Sequence, residues 1–293
     1  MNISLIIITR NRFEVLTKNL KHNLQEFTSE DEIVIVDGSS EDCLEKFKME
    51  FKAKNIYYHK TQAGKNFQRN YGVAHASGDI FLFLDDDIQL MEGSIGSLRT
   101  FFMDHPEFDG VTGALTEKNE PSKVKQYFEK VFSKVFFTPA FGNSGFTRSG
   151  LPIVPLDTEP RHEAFFLRGG FSAYKRDIFK NISFDEHFRG YAYLDDTDFS
   201  LSVVKIGRFV FLPEFKGYHS HLSSLQKDHS ETRKQLIENF YYVFNKHHIG
   251  NRALFYWTAF GLLIINLAKS FTCFNPSYVI GTWRGIMNII RDR

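Results

Sequence analysis

The sequence predicts an α/β fold: a Rossmann-like, wound and mostly parallel sheet flanked by helices, with a C-terminal helical tail. Three observations predict it. Over the first hundred or so residues, short β-branched runs alternate with stretches of helical length. The unusual polar residues stand directly after those runs, and from Ala253 onward the chain carries long uncharged, aromatic-rich stretches. Strands that are apolar on both faces belong in a parallel sheet covered by helices.

Residues 3–8 read as the first buried strand; the run has no basic region before it and ends in Arg10 and Arg12, unlike a signal peptide. Residues 33–36, 56–58 and 80–84 read as further strands, and 13–27, 41–53 and 66–76 as the helices between them. Right-handed crossovers then place ligands at the carboxyl ends of the strands. Thr9-Arg10-Asn11-Arg12, Asp37-Gly38-Ser39-Ser40 and Asp85-Asp86-Asp87 stand there. After a helical stretch over 121–135, glycines and prolines up to Pro160 mark a long loop, either a lid or an exposed connection. A helix over 199–206 and a strand over 209–211 follow.

A chain of 293 residues suggests two domains, or one large α/β domain with an appendage. With 42% hydrophobic and 24% charged residues, a disordered or collagen-like chain is excluded. The net charge of +1 offers no bulk basic surface for nucleic acid. Two cysteines form no disulfide framework, which points to a reducing, cytoplasmic setting. The charge is uneven: residues 246–293 carry +5, which leaves −4 for residues 1–245. The 32 Phe leave apolar surface beyond what a core requires. The uncharged run 253–268 is shorter than the ~20 residues that span a bilayer, so an interfacial helix on an anionic leaflet fits it. A core-packing helix with a solvated basic edge is the alternative.

Three adjacent carboxylates at Asp85 to Asp87 repel one another, and a divalent cation relieves this, since Mg²⁺ takes carboxylates together with substrate phosphates. On an extended strand Asp85 and Asp87 point the same way and Asp86 opposite, unless the strand has already turned. A solvated acidic turn is the plainer reading of such a triplet. The first strand lacks the glycine-rich turn of a dinucleotide site. Arg10, Arg12, Lys65 and Arg69 offer positive charge for a diphosphate instead, unless Arg69 is an ordinary solvated helix residue. The cluster Asp195-Asp196-Thr197-Asp198 precedes a helix; Asp198 or Thr197 would cap it, and a paired acid ahead of the cap suits a general base. His219 and His221, two apart in an extended segment, could present one imidazole to the metal, or serve structure only.

Taken together, these residues resemble the family 2 inverting glycosyltransferases of the GT-A fold. The resemblance rests on residues 4–12, Val36-Asp37-Gly38-Ser39-Ser40, Arg69-Asn70-Tyr71-Gly72, Phe83-Leu84-Asp85-Asp86-Asp87, Arg168-Gly169-Gly170, Asp195-Asp196-Thr197-Asp198, and Pro213 with His219. It implies a catalytic domain over 1–222, of which about 1–110 binds a nucleotide sugar and 111–222 supplies the acceptor side and the base. Residues 223–293 would then be a helical, apolar and basic tail. Donor contacts are implied for Thr9, Arg10, Asn11, Asp37, Arg69, Asp85 and Asp86, with Asp85 to Asp87 as the DxD element. Asp87, Asp85 and His219 are implied to hold Mg²⁺ or Mn²⁺, and Gly169 and Gly170 to let the backbone approach donor and acceptor.

Asp196, with Asp195 beside it, is implied as the base of a metal-dependent, inverting hexosyltransferase in polysaccharide or glycolipid biosynthesis. Its acceptor would be a saccharide or lipid-linked sugar, and the enzyme would lie peripherally on the cytoplasmic face of the cell membrane, held by its tail. Two departures stand out: Asp37-Gly38 where the family often has two acids, and Asp195 where it usually has Glu. Competing classes are a sugar nucleotidyltransferase, which lacks its triphosphate loop here, and an aspartate-dependent phosphohydrolase, whose acids would follow the first strand. A catalytically inactive nucleotide-sugar-binding or scaffold protein is the third.

Overall fold

A computed structural model describes residues 1–52, 55–117, 123–219 and 228–291. Its first half alternates β1 (Ile3–Thr9), α1 (Phe13–Asn23), β2 (Glu32–Asp37), α2 (Leu44–Glu50), β3 (Ile56–Lys60), α3 (Lys65–His75) and β4 (Ile80–Asp85). Strands β3, β2, β1 and β4 lie side by side and parallel. Register sets Thr9 opposite Asp37, and Asp85 opposite Ile8 one row earlier, so three of the expected polar groups cluster at the carboxyl ends of adjacent strands.

The period of two in these strands divides the core. Ile3, Leu5, Ile7, Ile33, Ile35, Ile80, Leu82 and Leu84 pack on one face of the sheet. Ile6, Val34, Val36, Phe81 and Phe83 pack on the other. Both faces are therefore dry, as the unbroken apolar runs require.

The sheet continues through β5 (Ile88–Leu90), then α4 (Ser94–Asp104) and β6 (Gly110–Glu117). The helix expected over 121–135 is α5 (Lys123–Phe136), and the expected long loop after it contains a small sheet of β7 (Ala140–Phe141), β8 (Gly145–Phe146) and β9 (Pro152–Val154). Next come β10 (His162–Glu163), β11 (Phe171–Lys175), α6 (Asp195–Val203) and β12 (Phe209–His219). Antiparallel β11 sits between β4 and β6, and β12 runs parallel to β6.

Sequence periodicity ends the last strand near Phe211 because Pro213 cannot donate to a ladder. The structure instead shifts register between Leu212 and Lys216, which lets the strand continue to His219. This irregularity carries His219 to the carboxyl end of the sheet. His221 lies outside the described residues.

The tail folds as α7 (His229–Lys246), α8 (Arg252–Thr272) and α9 (Ser277–Arg291). Gly281 and Gly285 let α9 approach α7 closely: a Cβ at Gly281 would lie 2.1 Å from the Ser230 carbonyl oxygen. Ile237, Phe240 and Phe244 of α7, with Phe255 and Leu262 of α8, share a core with Phe188 and Leu194, which precede α6. The tail thus packs against the segment that leads into the second acidic cluster. Helix α8 has 21 residues, longer than its uncharged run, and by length and composition alone could cross a membrane.

Phe215 is fully buried and stacks on Phe171 at 4.3 Å, in the core beneath β12. Phe215→Ala should cost about 3–5 kcal/mol of folding free energy. Urea unfolding of the variant would measure it; a loss under about 1 kcal/mol would mean that this core closes over the gap.

Candidate active site

The carboxyl ends of β1 and β4 open into a cleft of about 700 Å³, lined by Thr9, Arg10, Lys65, Asp85 to Asp87 and His219, with residues 186 and 188–191 opposite. Gln68 ties its floor together, since its side-chain amide donates to the Thr9 carbonyl at 2.9 Å and the Val36 carbonyl at 2.8 Å. Sequence reasoning missed Gln68; its signal was a polar residue on a helix face that points inward.

The acid triplet is turned, not extended. β4 stops at Asp85, and Arg12 then bridges the next two carboxylates, with Nη1 2.8 Å from Asp86 and Nη2 2.7 Å from Asp87. Asp86 therefore sits beside Asp87 and does not point away from it. The Thr9 hydroxyl donates to Asp86 at 2.7 Å, and the Asn19 amide donates to the Asp86 carbonyl at 2.9 Å. Burial pushes the Asp86 pKa up to about 7, against the pull of Arg12 and Thr9. Burial also acts on Asp87, but hydrogen bonds from His219 and Arg12 outweigh it and hold that carboxyl well below the usual range.

His219 Nε2 lies 3.1 Å from Asp87 Oδ1, and both residues line the cleft. Among the described residues, no three His, Cys, Asp or Glu side chains converge into a complete metal cage. A site of this kind suits a cation that takes its remaining ligands from phosphate and water.

Other expected donor contacts serve more locally. Asp37 is buried and accepts from the Ser39 amide at 2.8 Å and from the Tyr58 hydroxyl. Asn11, exposed at a left-handed φ of 55°, accepts from the Ser40 amide at 3.0 Å. Arg10 is exposed in the cleft wall. Arg69 departs most from expectation, because its guanidinium is only 1% exposed and Nη1 lies 2.5 Å from Asp195 Oδ2. It is a buried partner of the second acidic cluster and is not among the residues that line the cleft.

That cluster opens α6. Neither Asp198 nor Thr197 caps the helix: the N-cap position is Leu194, in left-handed backbone at φ 67°, with no side-chain cap. Asp198 instead binds Lys246 at 2.8 Å and His247 at 2.8 Å, both from the end of α7. Asp195, 3% exposed, is held by Arg69 and lies 3.4 Å from Lys65 Nζ. Asp196 is half-buried, and burial together with the neighbouring Asp195 raises its pKa to about 6, against the pull of Lys65 and Arg69. Among the described residues, Asp195 is taken up in ion pairs and Asp196 is in none.

Gly169 and Gly170 join the two acidic clusters. A Cβ at Gly169 would lie 2.9 Å from Arg69 Nη2 and 3.1 Å from the Asp196 Cβ. A Cβ at Gly170 would lie 2.2 Å from the Asp85 carboxylate, whose own amide donates to the Gly170 carbonyl at 3.0 Å. Any side chain at either position would push these groups apart.

A wound sheet with acids after β4, and a second acidic pair heading the helix beyond an antiparallel β11, defines a GT-A transferase. The family model described as glycosyl transferase family 2 matches residues 4–183, and the chain belongs to that family. It is 30% identical over 165 residues to the minor teichoic acid biosynthesis protein GgaB of Bacillus subtilis, covering 53% of this chain and 16% of that one. It is 24% identical over 193 residues to the GalNAc(5)-diNAcBac-PP-undecaprenol beta-1,3-glucosyltransferase of Campylobacter jejuni, covering 64% of this chain and 56% of that one. The chain thus spans only part of the length of these curated relatives. In fold it is similar to S. aureus TarS 1-349 (TM-score 0.58, 16% identity, 93% of this chain and 72% of that one). It is likewise similar to the mannosyltransferase PcManGT of Pyrobaculum calidifontis, solved with GDP-Man and Mn2+ (TM-score 0.57, 15% identity, 99% and 75%).

Asp195→Asn should lower the Asp196 pKa from about 6 toward the ordinary value near 3.8, because a neighbouring anion is removed while Lys65 and Arg69 remain. NMR titration of the aspartate side-chain carbons would follow it; an unmoved or higher value would show that Asp195 carries no charge.

Proposed function

We propose that the chain is a metal-dependent, inverting glycosyltransferase that moves a hexose from a nucleotide-diphosphate donor to a hydroxyl of a saccharide or lipid-linked acceptor. The observation that carries this reading is the Gly169-Gly170 seam, which brings a titrating carboxylate, Asp196, within two residues of the cleft acid Asp85. Transfer by direct displacement needs a proton acceptor on one side of the anomeric carbon and charge compensation on the other.

Asp87, with His219 beside it, would hold the cation, Mg²⁺ or Mn²⁺, and Asp85 would reach it through water; both carboxylate and imidazole ligands suit Mn²⁺. When bound, the cation offsets negative charge on the departing diphosphate. Thr9 and Arg12 fix Asp86 and Asp87 in the cleft wall, and Arg10 reaches the donor phosphates from the rim. Asp196 takes the proton of the acceptor hydroxyl as that oxygen bonds to the anomeric carbon. The bond from that carbon to the diphosphate oxygen breaks in the same displacement, which inverts the centre. Asp195, held in place by Arg69 and Lys65, is the neighbouring anion that together with burial keeps the Asp196 pKa raised.

Residues 1–222 form the catalytic region in this reading, with 223–293 as its tail, whose helices α7 and α8 pack against the segment that leads into α6. The names of the similar proteins, a teichoic acid biosynthesis protein and an undecaprenol-linked glucosyltransferase, support a surface-polysaccharide or lipid-linked acceptor met at the cytoplasmic face of the membrane.

Asp196→Asn should lower transfer by about 10²- to 10⁴-fold while donor affinity stays near that of the wild type. A nucleotide-sugar panel with Mg²⁺ or Mn²⁺, read as released nucleoside diphosphate, with calorimetry for the donor, measures both. Turnover kept by the variant would remove Asp196 as base, and donor binding with no release by the wild type would indicate a binding protein. Because the base must be ionised, wild-type kcat/KM should rise with pH through about 6 and then level off.

A further inference from the structure

Helix α8 has two apolar faces. Phe255, Thr258, Ala259, Leu262 and Asn266 are buried, and the Asn266 amide donates to the Thr282 hydroxyl of α9 at 2.9 Å. On the other side Trp257, Phe260, Leu267 and Phe271 are exposed in one stripe, and Phe274, 95% exposed, extends it past the helix end. Helix α5 joins this stripe. Phe128, Phe132, Phe136 and Trp257 stack in succession at 6.0, 4.5 and 5.0 Å, and the Trp257 indole donates to the Val135 carbonyl at 2.7 Å. Tyr127, Phe128, Val131 and Val135 of α5 are themselves exposed, with Lys130 and Lys134 exposed among them. Arg252 and Lys269 are exposed toward the two ends of α8.

We infer that α5 and the outer stripe of α8 form one docking face for an anionic lipid bilayer, with the aromatic rings entering the headgroup boundary. Aromatic residues with interspersed lysines are what such a boundary selects. Stripe positions 257, 260, 267, 271 and 274 follow a heptad-like spacing, which raises a second copy as an occupant. Flanking positions Gly261, Leu263, Ala268 and Ser270 carry none of the charges that set coiled-coil partners, and the stripe is mainly aromatic. Lipid is therefore the better match. Spanning is disfavoured because the inner face of α8 is already committed to α7 and α9.

The face also orients the enzyme. Strands β6 and β12 run parallel and end together at Glu117 and His219, the cleft end of the sheet, and α5 begins shortly beyond, at Lys123. A bilayer on α5 thus lies toward the end of the molecule that would receive a lipid-anchored acceptor. The inference extends the tail contact expected from the sequence to a helix from the middle of the chain. It needs neither donor nor turnover, so its failure is separable from failure of the transfer reading.

The test is co-flotation of the full chain with vesicles of phosphatidylcholine, with or without phosphatidylglycerol. The wild type should float with the anionic vesicles. Phe128→Glu with Val131→Glu on α5, and Phe271→Glu with Phe274→Glu at the end of α8, should each reduce binding by about tenfold or more. Circular dichroism should match the wild type, and Met49→Glu, at an exposed site on α2, should float unchanged. Lys130→Gln with Lys134→Gln should remove most of the preference for anionic vesicles. Flotation of the α5 double variant at the wild-type level would overturn the inference. So would a wild type that stays unbound and runs as a dimer in light scattering.

Discussion

A guanidinium shielded from water stays charged at tolerable cost only with an anion against it, and Arg69 has that anion in Asp195 at 2.5 Å. The pair crosses the molecule. Arg69 stands on α3, among the parallel strands that begin the chain, and Asp195 opens α6 beyond the antiparallel β11. Desolvating both ions costs several kcal/mol, which their contact and the Asn66 and Lys65 contacts must offset. The position of α6 relative to the sheet is thereby fixed, and so is the raised pKa of Asp196.

A second charge arrangement governs the other side of the cleft. Three acids in a row at the end of β4 would repel, and Arg12 bridges two of them while Thr9 and His219 each hold one. The result is one carboxylate pushed up to about 7 and another held low. Asp87 is thus ready as an anion, next to an imidazole, at the place where a donor diphosphate would meet a cation. The Gly169-Gly170 seam joins this arrangement to the Arg69–Asp195 pair because no side chain stands between them.

The strands were legible because runs such as residues 3–8 and 80–84 are apolar on both faces, and nothing but a covered parallel sheet buries them so. The acidic clusters were legible because carboxylates right after such strands have few other uses. Burial of Arg69 was not legible. Helix α3 turns Asn66, Gln68, Arg69 and Gly72 inward, and apolar periodicity cannot mark an inward face made of polar residues. The turn at Asp86 depends on Arg12, 74 positions earlier. Helix α5 was legible over 121–135, but its role was not, because it depends on Trp257 from the far end of the chain.

The most direct test of this account is a double-mutant cycle of Arg69→Met and Asp195→Asn, read in unfolding free energy and in transfer rate. Asp195→Asn leaves the buried Arg69 without its anion. Arg69→Met leaves Asp195 with Lys65 at 3.4 Å in place of its closer partner, whereas the double variant removes both charges. The account predicts a double variant more stable than either single one, with a coupling of at least about 2 kcal/mol and a matching non-additivity in transfer. Effects that add within about 0.5 kcal/mol would contradict it, because they would show that the two residues do not depend on each other.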